Sequence, residues 1–263
     1  MKVVVCVKQV PDTKGGVKFK PDGTLDRAAM LAIMNPDDKA ALEAALRLKD
    51  SYGADVTVVT MGLPKADAVL REAYAMGADH CILVTDRVLG GADTWATSQT
   101  VAAAIRNLEY DLIITGRQAI DGDTAQVGPQ ISEHLHIPLI SYAEEIQVNE
   151  EERTVTVKRQ FDDGYYIVRA KMPCLITCLS ELNTPRYMTP GGIFDAFKKD
   201  VTVWGRKDLK DLDDSNIGAA GSPTVIAKAS DKVAKGKGVK VVPSTPDEAA
   251  DYIVDVLSKK HVV

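Results

Sequence analysis

What the chain lacks narrows its identity first. Neither the G-x-G-x-x-G dinucleotide fingerprint nor the G-x-x-x-x-G-K-[ST] phosphate loop occurs in it. Its 4 cysteines, Cys6, Cys81, Cys174 and Cys178, all sit in apolar, strand-like runs. Cys174 and Cys178 would share one strand face. No further Cys or His lies near them to complete a metal or redox site, so buried thiols are expected. The 4 histidines form no motif either: His80 opens a strand, His134 and His136 end a helix, and His261 lies near the C-terminus. No nucleophile–base arrangement and no H-E-x-x-H is present, which leaves hydrolysis without a sequence basis. Apolar runs fall short of transmembrane length, and a net charge of −5 gives no reason to expect nucleic acid. Strand-like Val3-Val4-Val5-Cys6-Val7 begins almost at once, leaving no room for a signal or transit peptide. A cytoplasmic protein without membrane insertion is the expectation.

What remains is a chain of 263 residues, 45% hydrophobic and 26% charged, enough for one large domain or one domain plus a tail. Residues 2–8 read as a first strand, followed by a polar loop or small hairpin through Lys20 to Gly23. Asn35-Pro36-Asp37-Asp38 is a strong helix start: Asn35 can cap, proline suits the first helical position, and two acids meet the positive end of the dipole. That helix is predicted to run to about Asp50, with Gly53 ending it. Asp55 to Thr60 reads as a strand ending at Met61-Gly62, Lys65 to Met76 as a helix closed by Gly77, and Cys81 to Val84 as a third strand. Alternation at these lengths implies an α/β fold, a parallel sheet flanked by helices. Ligands of such sheets lie beyond the carboxyl ends of the strands, where strand order reverses. Cys6, Met61, Asp86 and Gly116 fall at such ends.

Two loops stand out. Gly116-Arg117-Gln118-Ala119-Ile120-Asp121-Gly122-Asp123-Thr124-Ala125-Gln126-Val127-Gly128-Pro129 joins the apolar strand Leu112 to Thr115 to a helix beginning near Gln130. Pro129 would distort a helix begun before it, turning the N–H groups of Thr124 to Val127 outward, where an anion can be held. The plainer alternative is an ordinary connection capped by Asp121 or Asp123. The second loop is Asp86-Arg87-Val88-Leu89-Gly90-Gly91-Ala92-Asp93, leading into a helix with Val101, Ile105 and Leu108 on its apolar face. Asp93 suits the N-cap, and Gly90-Gly91 lets the backbone approach a ligand. Thr94, Thr97 and Ser98 share one side of the first turn, which suits a pyrophosphate or a ribityl chain or else a well-capped surface helix.

Pro138 to Val148, Thr154 to Gln160 and Tyr165 to Lys171 read as strands, the last two a hairpin turning at Asp162-Asp163-Gly164. Pro173 to Leu179 is a further strand, so antiparallel pairing is added at the edge of the parallel core. Asn183 to Phe194 is expected to stay an irregular loop, held so by its prolines and glycines. Ile193, Phe194 and Phe197 are either partly exposed as a partner surface, for which Pro190 to Phe197 is the candidate, or buried. Gly218 to Val239 reads as a mobile connector. Thr245-Pro246-Asp247-Glu248 is a capping box opening a last amphipathic helix with Ala250, Ile253, Val254 and Leu257 on one face.

Met34-Asn35-Pro36, Ala75-Met76-Gly77-Ala78-Asp79, Gly116 to Asp121 and Leu182-Asn183-Thr184-Pro185-Arg186-Tyr187 occur in the order of a known family. The chain resembles, over its whole length, the small (β) subunit of an electron transfer flavoprotein. That resemblance implies the adenine-nucleotide α-hydrolase-like fold in residues 1–217, and in residues 218–263 a connector and C-terminal arm packing on the large (α) subunit. In the common branch the small subunit holds AMP, and the matching positions are Cys6, Asn35, Pro36, Asp37, Asp38, Met61 and Gly116 to Val127. The electron-bifurcating branch places a whole FAD there. Its pattern resembles Asp86, Arg87, Gly91, Ala92, Asp93, Thr94, Trp95, Ala96, Thr97 and Ser98, with Leu89 where an aromatic is expected. In that branch NADH is the donor, and ferredoxin or flavodoxin and an acyl-CoA dehydrogenase are the acceptors. Thr13 replaces a tyrosine common in relatives, and Pro190-Gly191 replaces the leucine-proline pair of the dehydrogenase-docking loop. No catalytic acid or base is expected, because the flavin carries the chemistry. Bifurcation with FAD, plain electron carriage with AMP, and a more distant ATP-binding stress-type module are the readings to be separated.

Overall fold

The structure, a computed structural model, describes residues 1–12, 31–224, 236 and 238–263. The expected loop or hairpin through Lys20 to Gly23, the Thr13 position and most of the connector's middle lie outside the described residues. Residues Met1–Val225 pack as one unit and Ile226–Val263 as another.

The first unit is built on a nine-stranded sheet. In chain order its strands are β1 (Lys2–Cys6), β4 (Asp55–Met61), β5 (His80–Val84), β6 (Leu112–Gly116), β7 (Leu139–Asn149), β8 (Thr154–Phe161), β9 (Gly164–Lys171), β10 (Cys174–Cys178) and β11 (Thr202–Trp204). Two short strands, β2 (Gln9–Pro11) and β3 (Ala32–Met34), form a separate antiparallel pair. The order across the sheet is β11-β5-β4-β1-β6-β10-β7-β8-β9. Every pairing from β11 to β7 is parallel, and β7-β8-β9 is antiparallel. From β1 the chain fills one side of the sheet through β4 and β5, then crosses back to place β6 on the other. The topological switch point therefore lies between the ends of β1 and β6, where ligands of parallel sheets bind.

Helices α1 (Pro36–Tyr52) and α2 (Asp67–Met76) cover one face, and α3 (Thr94–Ile105) and α4 (Val127–Leu135) the other. Alternate residues of β1 serve the two layers: Val3 and Val5 pack with Leu42, Leu46 and Leu70, while Val4 packs with Ile105 and Ile131. Burial on both faces is what the apolar runs of a parallel sheet predict. Cys174 and Cys178 are free, buried thiols within the α1 layer.

Several boundaries differ from the sequence reading. The helix expected from Lys65 begins at Asp67, because Pro64–Ala66 forms a 3-10 turn ahead of it. The third helix stops at Ile105, so Leu108 lies beyond it. Pro190–Ala196 is not irregular: it is helix α5, with Thr189 accepting the N–H of Gly192 at 2.9 Å and proline in its first turn. The outer side of α5 is open to solvent, with Phe194 at 73% and Phe197 at 71% exposure. In the second unit, helix α6 (Pro246–Lys259) is capped as expected: Thr245 Oγ1 accepts from Glu248 N, while the Glu248 carboxylate accepts from Ser244 N rather than from Thr245.

Candidate nucleotide-binding crest

The first loop is set from below by α1. Asn35 occupies the N-cap position, but its side chain caps nothing. Its Nδ2 instead donates to Gln118 O at 2.8 Å, and its Oδ1 accepts from Ile120 N at 3.1 Å. Asp38 accepts the N–H of Lys8 at 2.8 Å on one oxygen and that of Gly116 at 3.1 Å on the other. One buried carboxylate thus joins the ends of β1 and β6 across the switch point. Its fit explains Gly116, where a Cβ would lie 2.3 Å from Asp38 Oδ1 and 2.7 Å from Asp38 N. Burial pushes the Asp38 carboxyl up to about 7, with neighbouring Asp37 adding to the rise and the donated hydrogen bonds opposing it. Burial also raises Asp37, against the pull of the Arg117 guanidinium, whose Nε faces Asp37 Oδ2 at 3.6 Å. Cys6, beside Asp38, is pushed up to about 12 by burial and by that carboxylate. It is an inert thiol lining the crest.

Above this floor the loop makes its own turn, Ala119 O accepting from Gly122 N and Asp123 N at 3.2 and 2.8 Å. Lys8 Nζ holds both Asp121 oxygens, at 2.8 and 3.0 Å, and Gln118 Nε2 holds Asp123. Neither acid caps the helix. The cap is Gln126, and α4 starts at Val127, so that Pro129 falls in the first turn, where its missing N–H costs nothing. Asp123 and Ala125 both take a left-handed φ of 53°. Among the described residues the N–H groups of Thr124 and Ala125 donate to no protein group, and those of Val127 and Gly128 lie in the first turn, without an intrahelical acceptor. Alternating hand of this kind turns successive N–H groups toward one concavity. Gly128 lets α4 sit close against the sheet, since a Cβ there would lie 2.8 Å from Thr177 and 2.9 Å from Thr115.

The second loop ends at the same crest. Asp86 Oδ1 accepts from Val88 N at 3.3 Å and its Oδ2 from Arg206 N at 3.1 Å, bonds that hold its carboxyl below the usual range. Arg87 is exposed and Ala92 half-buried. Asp93 caps α3 through Ala96 N at 3.1 Å. Thr94 Oγ1 donates to Gln126 Oε1 at 2.8 Å, which joins the start of α3 to the start of α4. Thr97 is half-buried one turn on.

Ser98 departs from the expected row of three hydroxyls. It is fully buried, donating to Trp95 O at 2.8 Å with His134 Nε2 at 3.1 Å, so α4 covers it. The close approach that Gly90-Gly91 was expected to offer a ligand is occupied by Ala219, which a Cβ on Gly91 would meet at 2.9 Å. Met61 closes the crest at the end of β4, half-buried against the same apolar layer as Cys6. Sequence reasoning missed Lys8, Arg206, Ser222 and Thr224. Only Lys8, just past the first strand, carried a positional signal.

An anionic nucleotide suits the chemistry of this arrangement. Unsatisfied N–H groups line it, and the flanking acids Asp86, Asp93, Asp121 and Asp123 already hold protein donors or a lysine. The Electron transfer flavoprotein domain family matches residues 22–209. The chain is 52% identical, over the full length of both, to "Electron transfer flavoprotein subunit beta" of Clostridium acetobutylicum. It is 47% identical to "Caffeyl-CoA reductase-Etf complex subunit CarD" of Acetobacterium woodii, again over both entire chains. It is 49% identical to "Acryloyl-CoA reductase electron transfer subunit gamma" of Anaerotignum propionicum, with the same full coverage.

Proposed function

The chain belongs to the electron transfer flavoprotein family as a small (β) subunit, whose partner is a large (α) subunit, and on that premise we propose that it holds a complete FAD and serves electron bifurcation. The donor in this reading is NADH. One electron of each pair goes to a low-potential acceptor, ferredoxin or flavodoxin, and the other passes through the large subunit's FAD to an acyl-CoA dehydrogenase. The observation that carries the reading is the Thr94–Gln126 hydrogen bond. It joins two helix starts into one continuous rim, which suits a diphosphate with a sugar alcohol beyond it, where a monophosphate needs the Gly116 loop alone. Two relatives named for caffeyl-CoA and acryloyl-CoA reductases support the choice of a CoA-ester acceptor system.

When bound, FAD supplies the ability to take two electrons together and release them singly. The chain's own contribution is binding and orientation. The N–H groups of Thr124, Ala125, Val127 and Gly128 would hold the phosphates, and the Thr94 and Thr97 hydroxyls would extend the grip toward α3. Asn35 and Asp38 act one layer below, fixing the Gly116 loop that presents those donors. The bonded acids Asp121 and Asp123 keep their charge directed at Lys8 and Gln118. Tyr187, Phe194 and Phe197, exposed around α5, form the surface proposed for the dehydrogenase. The amphipathic α6 is proposed to pack on the large subunit.

Nucleotide released on denaturing the purified heterodimer tests the reading directly. Two FAD per heterodimer are expected, with bleaching on addition of NADH. One FAD with one AMP would overturn bifurcation and leave plain electron carriage.

A further inference from the structure

The segment Gly218–Thr224 returns to the Asp93 loop and fits it backbone to backbone. Ala219 N donates to Gly90 O at 2.9 Å. Asp93 N donates to Ser222 Oγ at 2.8 Å, and that hydroxyl donates in turn to Gly218 O at 2.7 Å. Thr224 N donates to Asp93 Oδ2 at 2.9 Å. The approach needs glycine on both sides. Gly91 has φ 75° and Gly218 φ 56°, and a Cβ on Gly218 would lie 2.1 Å from Val88 O.

Asp93 is therefore shared. One oxygen caps α3 through Ala96 N, and the other is held by Thr224 N. The peptide leading into the cap is fixed independently by Ser222. A capping carboxylate with its second oxygen free can rotate away from the helix, whereas this one is pinned at both oxygens and at its own backbone.

We infer that Gly218–Thr224 is a working part of the nucleotide site, in which Ser222 and Thr224 are positioning residues. They fix Asp93, and through it the first turn of α3 carrying Thr94 and Thr97. The inference rests on the FAD reading above for what this end of the rim holds. A mere fastening of the tail would affect stability alone. Positioning changes affinity at one nucleotide and not at the other.

The test uses the αβ heterodimer with Ser222→Ala and Ser222→Thr. Ser222→Ala should weaken small-subunit FAD about tenfold, the scale of one lost hydrogen bond in a partly buried site. Ser222→Thr, which keeps the hydroxyl, should restore affinity. The large subunit's FAD should bind equally in all three proteins, and the Ala96 amide should exchange faster in Ser222→Ala. Unchanged affinity in Ser222→Ala, whatever the exchange rate, overturns the inference while the FAD reading stands. If the wild-type complex carries AMP, which needs the Gly116 loop alone, the FAD reading falls and the inference falls with it.

Discussion

The Gly116 loop is set from beneath by the start of α1, where buried Asn35 and Asp38 reach backbone groups 78 to 85 positions away. The Asp93 loop is held from outside, by a segment of the chain that comes after every strand of the sheet. The first arrangement is part of the fold: Asp38 joins the ends of the two strands that define the switch point. The second is an addition that the sheet does not need. A small subunit needing only a monophosphate site can rely on the first alone. In the FAD reading proposed above both are needed, and residues 218–224 would meet that added requirement.

The largest effect expected from breaking this contrast comes from glycine. Gly116→Ala puts a Cβ within 2.3 Å of Asp38 Oδ1 and 2.7 Å of Asp37 Cβ, groups anchored in a helix that cannot step aside. A loss of about 3 kcal/mol or more is expected, read as a fall in the thermal midpoint of the heterodimer. Gly91→Ala meets Ala219 alone, its Cβ at 2.9 Å and its backbone at 3.7 Å and beyond, and takes a left-handed φ. It should cost about 1 kcal/mol and act mainly on nucleotide content. Equal losses for the two would erase the distinction between a built-in and an added support.

A second experiment separates the two ends by pH. Asp38 has a folded-state carboxyl raised from 3.8 to about 7, so the folded state holds its proton more tightly than the unfolded chain. Its contribution is therefore full at acid pH and declines as pH rises through that window. Asp38→Asn has no such proton. The stability advantage of the wild-type heterodimer over Asp38→Asn should shrink steadily from pH 4.5 to 7.5. Asp93, whose carboxyl is held below the usual range by the N–H groups of Ala96, Thr224 and Trp95, should give no trend of that sign in Asp93→Asn. A pH-independent difference for Asp38→Asn would show that water reaches the carboxylate.

Much of this was legible before any coordinates. Alternating apolar runs and glycine stops predicted the parallel core, its crest and both loops, because each rests on patterns local in sequence. What escaped depends on partners far away. Asn35 and Asp38 read as a cap and a dipole acid, and Asn35 holds the right position. Both side chains turn instead to the Gly116 loop, a pairing no local spacing reveals. Ser98 shares a helix face with Thr94, yet α4 covers that face. Gly218–Thr224 has the composition of a linker, but Gly218 is there for close packing against the carbonyls of Val88 and Gly90, and Gly221 for packing against Asn216 and Ile217. Thr202–Trp204 is too short to show a period. The FAD-or-AMP choice, which the resemblance framed, turns on a rim built from both loops, whose helix starts the Thr94–Gln126 bond joins.

The smallest effect tests whether everything near the switch point is built in. Lys8 and Asp121 also bridge the ends of β1 and β6, as Asp38 does, with contacts of 2.8 and 3.0 Å. Geometry alone would make the two connections equivalent. Solvent makes them different: the Lys8 side chain is 47% exposed and that of Asp121 33%, so water and salt compete for the same charges. A double-mutant cycle with Lys8→Met and Asp121→Asn, read by thermal unfolding of the heterodimer, should give a coupling of about 0.5 kcal/mol that fades in high salt. A coupling several times larger and indifferent to salt would mean that this pair is a second structural clamp, and that the buried carboxylate below it does not act alone in setting the loop.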